Sequence, residues 1–275
     1  MQWLNRNLDF SERACVMGII NCTPDSFFAG SRKETGEAAL KTALDMIAAG
    51  VDIIDIGGES SRPGSQPVSA EEEKQRVIPL IREIREQSGI LISVDTYKTE
   101  VAAAAIEAGA DMVNDIYALR DNPALAELIA GKGVPVILMH MQGNPAQMQQ
   151  HPSYRDVIAE IIESLENATA FAVKHGISRD LIIWDPGIGF GKRQEDNLLI
   201  IKRLQEFKKV GFPLLMGLSR KSFLGKILDK EAEDRLTGTI TVNTISILNG
   251  ADIIRVHDYR EAIDTVKIVQ AITRV

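Results

Sequence analysis

Cysteine is nearly missing from this sequence. Of 275 residues only Cys15 and Cys22 carry a thiol, and neither has a CxxC partner or a histidine at metal-site spacing. That excludes a disulfide scaffold and a structural zinc site. Both thiols are expected as small buried hydrophobes in a reducing compartment. An excess of positive charge is missing too. Thirty-one Lys and Arg against 38 Asp and Glu leave a net charge of -7. A broad nucleic-acid-binding face is therefore not expected, and an anionic ligand has to be met by a local group of cations. No apolar run approaches the length of a membrane span. The N-terminal stretch MQWLNRNLDFSERACV carries acids and has no apolar centre, unlike a secretory signal. A cytoplasmic protein without membrane or nucleic-acid partners is the expectation. Low-complexity segments and linker-like stretches are also lacking.

What is present is an ordinary globular composition, 45% hydrophobic and 25% charged, ample for a core without staples. A chain of this length fits two small domains or one α/β barrel. A weak internal repeat favours the barrel. AAGVDIIDIGG (48–58), EAGADMVNDIY (107–117) and LNGADIIRVHD (248–258) each read as a helix end, a Gly, a small residue, an Asp and a short apolar run. Gly suits the position after a helix. The β-branched run that follows suits a parallel strand buried on both faces.

Five positions after the shared Gly come Asp55, Asn114 and Arg255. The other apolar runs also stop on polar groups: VMGIIN at Asn21, ILISVD at Asp95, PVILMH at His140, LIIWD at Asp185 and PLLMGLSRK at Ser219 to Lys221. Helical patterns alternate with these eight runs. GEAALKTALDMIAAG has helical spacing, SAEEEKQRVIPLIREIREQ opens on a capping box of Ser69 and Glu72, and SYRDVIAEIIESLENATAFAVKHG closes at Gly176. DRLTGTITVNTISILNG and YREAIDTVKIVQAITRV supply the last two. Eight strand–helix alternations predict a single (β/α)8 TIM barrel over residues 1–275, with its active site at the C-terminal ends of the strands. An open doubly wound sheet is the structural rival.

One mouth would then hold Asn21, Asp55, Asp95, Asn114 and Asp185 beside Lys221, Arg255 and His257. Carboxylates and an amide above an apolar floor suit a flat polar heterocycle, because they accept from and donate to an aminopyrimidine edge. Arg255 and His257 alternate on one strand and suit an anion, and Arg62 in RPGS adds a cation on a rigid turn. His140 is equally readable as structural, and His151 and His175 read as structural or solvent-exposed. The stretch DPGIGFGKR is neither GxGxxG nor a phosphate-binding P-loop: Pro186 stands where the first Gly belongs and Arg193 where Ser or Thr would follow. It is expected to be a flexible loop that brings Phe190 over the mouth.

Taken together, MGIINCTPDSF, GGESSRPGS, SVDT, ND, DPGIGFGK, SRKSF and RVHD, in order from Val16 to His257, resemble the dihydropteroate synthase family of folate biosynthesis. The resemblance implies condensation of 6-hydroxymethyl-7,8-dihydropterin diphosphate with 4-aminobenzoate to 7,8-dihydropteroate and diphosphate, with Mg²⁺ as cofactor. It implies that Asp95, Asn114, Asp185, Phe190, Lys221 and Arg255 bind the pterin, with Lys221, Asp95 and Arg255 central to the reaction. It assigns Asn21, Ser61, Arg62, Arg255 and His257 to the diphosphate, with Mg²⁺ at Asn21. Phe27, Pro63, Ser219 and Lys221 would form the 4-aminobenzoate site. A homodimer and competitive inhibition by sulfonamides are implied as well. Phe27, in the polar loop after Asn21, would act as a lid on the aromatic substrate. Two spellings depart from the family: SFFAGS puts Ala29 where many members carry Asp, and ESSRPG puts Ser61 where Thr is common. The runner-up is a methyltetrahydrofolate:corrinoid methyltransferase-type barrel, which would not need TPDSF, SRPG or SRKSF. A non-enzymatic pterin binder is a second alternative.

Overall fold

The polar-ended apolar runs are strands of one curled parallel sheet. The computed structural model describes residues 1–22, 32–60, 65–145 and 147–275, and of residues 32–35 only the backbone. A small antiparallel hairpin, β1 (Gln2–Trp3) with β2 (Arg6–Asn7), comes first. The barrel strands follow: β3 (Cys15–Asn21), β4 (Ile53–Gly57), β5 (Leu91–Asp95), β6 (Met112–Asp115), β7 (Val136–Met139), β8 (Ile182–Asp185), β9 (Leu215–Met216) and β10 (Ile253–Val256). Between and after them run α1 (Arg32–Ala49), α2 (Ala70–Gln87), α3 (Thr99–Ala108), α4 (Pro123–Lys132), α5 (Val157–Lys174), α6 (Gln194–Lys202), α7 (Leu204–Lys208), α8 (Ser222–Leu228), α9 (Leu236–Leu248) and α10 (Tyr259–Thr273).

The strand order β8-β7-β6-β5-β4-β3-β10-β9 is that of a (β/α)8 barrel opened between β8 and β9. Even there the ring is joined by one bridge, Trp184 to Leu214, with the Trp184 N–H donating to the Pro213 carbonyl at 2.9 Å. The run PLLMGLSRK was expected to be a full strand, yet only Leu215 and Met216 pair as one. Pro213 at its entrance has no N–H to donate.

The three repeats explain themselves at the bottom of the barrel. Gly50, Gly109 and Gly250 end α1, α3 and α9 with φ of 95°, 117° and 104°, the left-handed turn that glycine tolerates. The Asp two residues on then makes a reciprocal pair with the neighbouring strand. Asp52 donates its N–H to the Val16 carbonyl at 2.9 Å, and its carboxylate accepts the Val16 N–H at 2.8 Å. Asp111 does the same with Ile92 at 2.7 and 2.9 Å, and Asp252 with Leu214 at 2.9 and 2.8 Å. Each carboxylate also meets a cation: Arg13, Arg85 with Arg6, and Lys208 in turn. So the Asp of the repeat is a strand-joining device at the face opposite the mouth.

Side chains alternate across each strand. Val16, Ile54, Ile92, Val113, Val136, Ile182 and Ile254 point outward into the layer beneath the helices. Met17, Ile53, Leu91, Met112, Ile137, Ile183 and Ile253 point inward and fill the lower barrel. The hairpin, which no sequence pattern announced, plugs that end with Trp3 and Leu8. Cys15 and Cys22 are buried, as expected, and burial pushes both thiols up to about 12. The capping box at α2 is half made. The Ser69 hydroxyl accepts the Glu72 N–H at 3.1 Å, but the Glu72 carboxylate turns to Arg76 instead of back to Ser69, drawn by the opposite charge one turn on.

Candidate active site

One step above the apolar floor, the inward positions become polar. Ile53 is followed on the same face by Asp55, Leu91 by Ser93 and Asp95, Met112 by Asn114, Ile183 by Asp185 and Ile253 by Arg255. Asp95, Asn114, Asp185, Lys221, Arg255 and Phe190 line one pocket together with Ile116, Met139 and Ile188. Those six are the residues that the resemblance assigned to the pterin. A wider cleft of about 370 Å3 adjoins it, sharing Asp95 and Ile116 and walled by Glu59, Tyr97, Tyr117 and Asn144.

Charge in this pocket is paired from below. Arg255 donates from Nε to Asp55 Oδ2 at 2.5 Å and from Nη2 to Asp95 Oδ2 at 2.7 Å. Asn114 Nδ2 donates to the same Asp55 oxygen at 3.1 Å. Asp55 does not end its strand, as the pattern suggested. β4 runs on to Gly57, so Asp55 lies one layer deeper and is fully buried. Burial raises Asp95 to about 7, against the pull of Arg255 and with help from Asp55 and Glu73. Arg255 is held above its ordinary value: burial acts against its charge, but the Asp55 and Asp95 carboxylates outweigh it.

The segment after β8 is pinned, and so corrects the expected flexible loop. Asp185 accepts the Gly187 N–H at 2.7 Å, and Asn197 accepts the Gly189 N–H at 2.7 Å. Gly187, Gly189 and Gly191 all have positive φ, and a Cβ on Gly187 would lie 1.9 Å from the His140 carbonyl oxygen. Close backbone approach, not looseness, is what the glycines serve. Phe190 does reach the mouth, and Lys221 Nζ sits 4.2 Å from the centre of its ring. Burial pulls Lys221 down to about 8, with Asp185 opposing. Burial raises the Asp185 carboxyl, and Gly187, Lys221 and Lys192 draw it back.

Lys192 had no role in the sequence reading beyond a failed P-loop. It is buried; its Nζ lies 2.9 Å from His140 Nδ1 and donates to the Phe190 carbonyl at 3.1 Å and to the His140 carbonyl at 3.3 Å. Burial lowers Lys192 to about 7 and His140 to about 2, so the His140 ring is neutral. This settles His140 as part of the pocket wall's support. The only signal in the sequence was a lysine next to a glycine-rich turn, which usually lies on the surface. Glu59, Lys98 and Glu73 form a further charge group with no sequence signal of their own. Lys98 Nζ bridges the two carboxylates, while Glu59 accepts from Tyr97 and from the Val68 N–H across residues 60–67.

The turn after β9 carries Lys221. Arg220 takes φ of 56°, uncommon for a side-chain-bearing residue. Its guanidinium pairs with Asp258 at 2.5 Å, its N–H donates to Thr239 at 3.0 Å, and its carbonyl accepts from Arg235 at 3.0 Å. Ser219 is buried, and its hydroxyl lies 3.1 Å from His257 Nδ1 and accepts the His257 N–H at 3.2 Å. Asn21 ends β3 opposite Gly57, at the same rim. His151 is exposed, and His175 closes α5 against the Phe171 carbonyl, as expected for residues read as solvent-exposed or structural. Phe27, Ser61, Arg62 and Pro63, with Phe28 and Ala29, lie outside the described residues, and so does the lid expected around Phe27.

With this geometry in view, comparison with known proteins is specific. The family model described as pterin binding enzyme matches residues 17–257. A dihydropteroate synthase of Synechocystis is 44% identical over 267 residues, covering 97% of this chain and 92% of that protein. The Yersinia pestis dihydropteroate synthase, solved with a sulfonamide drug complex, is 39% identical with a TM-score of 0.95, covering 100% of this chain and 99% of that one. The dihydropteroate synthase from Xanthomonas albilineans in complex with 7,8-dihydropteroate is 39% identical with a TM-score of 0.88, covering 98% and 96%.

Proposed function

The chain belongs to the pterin-binding enzyme family and, within it, to the dihydropteroate synthases, and from that premise we propose how its own residues carry the reaction. The observation that supports it best is the single pocket in which Asp95, Asn114, Asp185, Lys221 and Arg255 converge beside Phe190. The pterin edge presents N–H and amino donors to the Asp95 and Asp185 carboxylates. Asn114, whose amide N–H is held by Asp55, offers its carbonyl. Lys221 donates to ring acceptors. Arg255 covers the ring face and, with His257, Asn21, Ser61 and Arg62, meets the diphosphate. Ser219, Lys221, Phe27 and Pro63 take 4-aminobenzoate, and sulfonamides compete for that place.

In the reaction the bond from the exocyclic methylene carbon to the diphosphate oxygen breaks, and both electrons leave on oxygen. The arylamine lone pair forms the new C–N bond, and its proton goes to solvent. Buried Asp95 and Asp185 stabilise positive charge spread into the pterin, while Arg255 and His257 stabilise the charge on the leaving oxygen. No general base is assigned, because an arylamine is nucleophile enough once placed.

Mg²⁺ belongs to the proposal through Asn21, an oxygen donor of the hard kind this ion takes. Among the described residues no cluster of acidic or histidine side chains could hold a metal alone, which fits an ion carried mostly by diphosphate oxygens and water. When bound it would neutralise charge on the leaving group. A cytoplasmic location and a homodimer complete the reading. For the dimer, Ile245 and Leu248 on α9 and Ile268 and Ile272 on the adjacent α10 supply an exposed apolar face.

Diphosphate release that requires both pterin diphosphate and 4-aminobenzoate is the decisive assay. Release without the arylamine, or none with both, would sink the reading. The pocket's charges also set a pH window. Asp95 ionises near 7, so pterin affinity rises with pH through about 7. Lys221 loses its proton near 8, so affinity falls again above about 8. Titration calorimetry with a pterin across this range should show a maximum between the two, and a flat profile would remove both groups from the ring.

A further inference from the structure

We propose that Asp55 is the positioning residue of this pocket, a carboxylate beneath the ligand that holds the Arg255 guanidinium and the Asn114 amide where they meet the pterin. The inference rests on the pterin reading above and goes beyond it, because Asp55 is not among the side chains lining the pocket. Three observations carry it. First, Asp55 is 0% exposed, and a buried carboxylate persists only where it is paired. Second, both of its contacts fall on one oxygen: Arg255 Nε at 2.5 Å and Asn114 Nδ2 at 3.1 Å. The other oxygen, Oδ1, has no hydrogen-bond partner among the described residues. Third, Arg255 is shared between Asp55 below and Asp95 at the rim, where it bonds Asp95 Oδ2 at 2.7 Å.

That sharing defines the job. Of the two carboxylates that hold Arg255, Asp95 is the one that lines the pocket, so it has to serve the ligand as well as Arg255. Whatever Asp95 gives up to the ring, the bond from Arg255 to Asp55 keeps the guanidinium in place. The same oxygen orients Asn114, leaving its carbonyl for the ring. One buried atom thereby sets two ligand-facing groups on β6 and β10, on opposite sides of β4 in the sheet.

The single-oxygen geometry makes a clean test available. Asp55→Asn keeps an oxygen for both donors and removes only the charge, since its NH2 can occupy the side where Oδ1 has no partner. Asp55→Ala removes the geometry too. The charged and titratable groups around Asp95 are Asp55 on β4, Glu73 on α2, Asp115 on β6, Arg255 on β10 and Lys221 after β9. Neutralising Asp55 removes a negative charge and leaves Arg255 to Asp95 alone. The pH midpoint for binding 6-hydroxymethylpterin should then move below about 7, toward the ordinary carboxylate range. The affinity should fall about 10- to 100-fold at neutral pH, the size of a lost charge-assisted bond. The KM for pterin diphosphate should rise while that for 4-aminobenzoate stays unchanged.

A folded Asp55→Asn protein with an unmoved pH midpoint overturns the proposal even if affinity drops, because general loosening gives that result. If neither variant folds, the wild-type protein decides. Its Arg255 Nε–H resonance, assigned with Arg255→Lys, should be protected from solvent exchange with and without pterin, and rapid exchange refutes the anchoring. A wild-type protein that binds no pterin at all overturns the functional reading and this one with it. Binding by the wild type with an unaltered variant overturns this one only.

Discussion

Lys221→Ala should lose about 10²- to 10³-fold in kcat/KM while the fold survives. The lysine is not part of the apolar core. It stands at the turn before α8, with its ammonium over Phe190 and drawn toward Asp185. Removing it takes away a donor to the ring and leaves the buried Asp185 with one fewer cation. Burial already raises that carboxyl, so losing Lys221 pushes it further toward the neutral form, which accepts poorly from ring N–H groups. The two losses act on the same ligand edge and so are not independent. Diphosphate release measures the loss of turnover, and circular dichroism with a melting curve checks that the fold survives. Turnover close to wild type would take Lys221 out of the site; a collapsed fold would make it a structural residue instead.

Gly187→Ala should be the most destabilising single methyl group in the pocket. At φ of 71° the added Cβ lies 1.9 Å from the His140 carbonyl oxygen, a backbone atom that cannot swing aside. That carbonyl also accepts from Lys192, and the His140 N–H donates to the Asp185 carbonyl at 2.9 Å, so relief of the clash displaces the ends of β7 and β8 together. A cost of about 4 kcal/mol is expected, which lowers the melting temperature by roughly 10 °C in a chain of this size. Pterin binding should fail with it, because Asp185 and Phe190 flank the displaced turn. Gly131→Ala is the control. It sits in α4 with nothing within 4 Å of the new methyl, and alanine in a helix is worth about 0.5–1 kcal/mol over glycine. If both variants melt together with the wild type, the close approach at Gly187 is not what holds the pocket wall.

The barrel was legible because its physics is local. Apolar β-branched runs with a polar residue at the end, alternating with amphipathic helices, leave little else to build, and the Gly of each repeat marks the left-handed exit of a helix. The mouth was legible for the same reason. On Ile183–Asp185 or Ile253–Arg255 the period of two alone puts the polar side chain on the inner face above the apolar one. Lys192 was not legible, because a lysine beside glycines reads as solvated until the His140 and Phe190 carbonyls are found around it. Nor was the N-terminal hairpin, whose strands are two residues each. The expected flexibility of DPGIGFGK failed because glycine permits close packing as readily as it permits motion.

By itself, then, the amino-acid order determined which side chains face inward and which strand ends are polar, since both follow from a repeat of two residues along the chain. Only the tertiary structure decided depth and partnership. Asp55 turned out to lie a layer below the rim, bonded to Arg255 at a separation of 200 residues. The sheet closes between β8 and β9 on a single bridge, while β10 pairs directly with β3 and so brings Arg255 within reach of two carboxylates on β4 and β5. Such contacts depend on how many strands complete the ring and how they stagger, and no window of sequence contains that information.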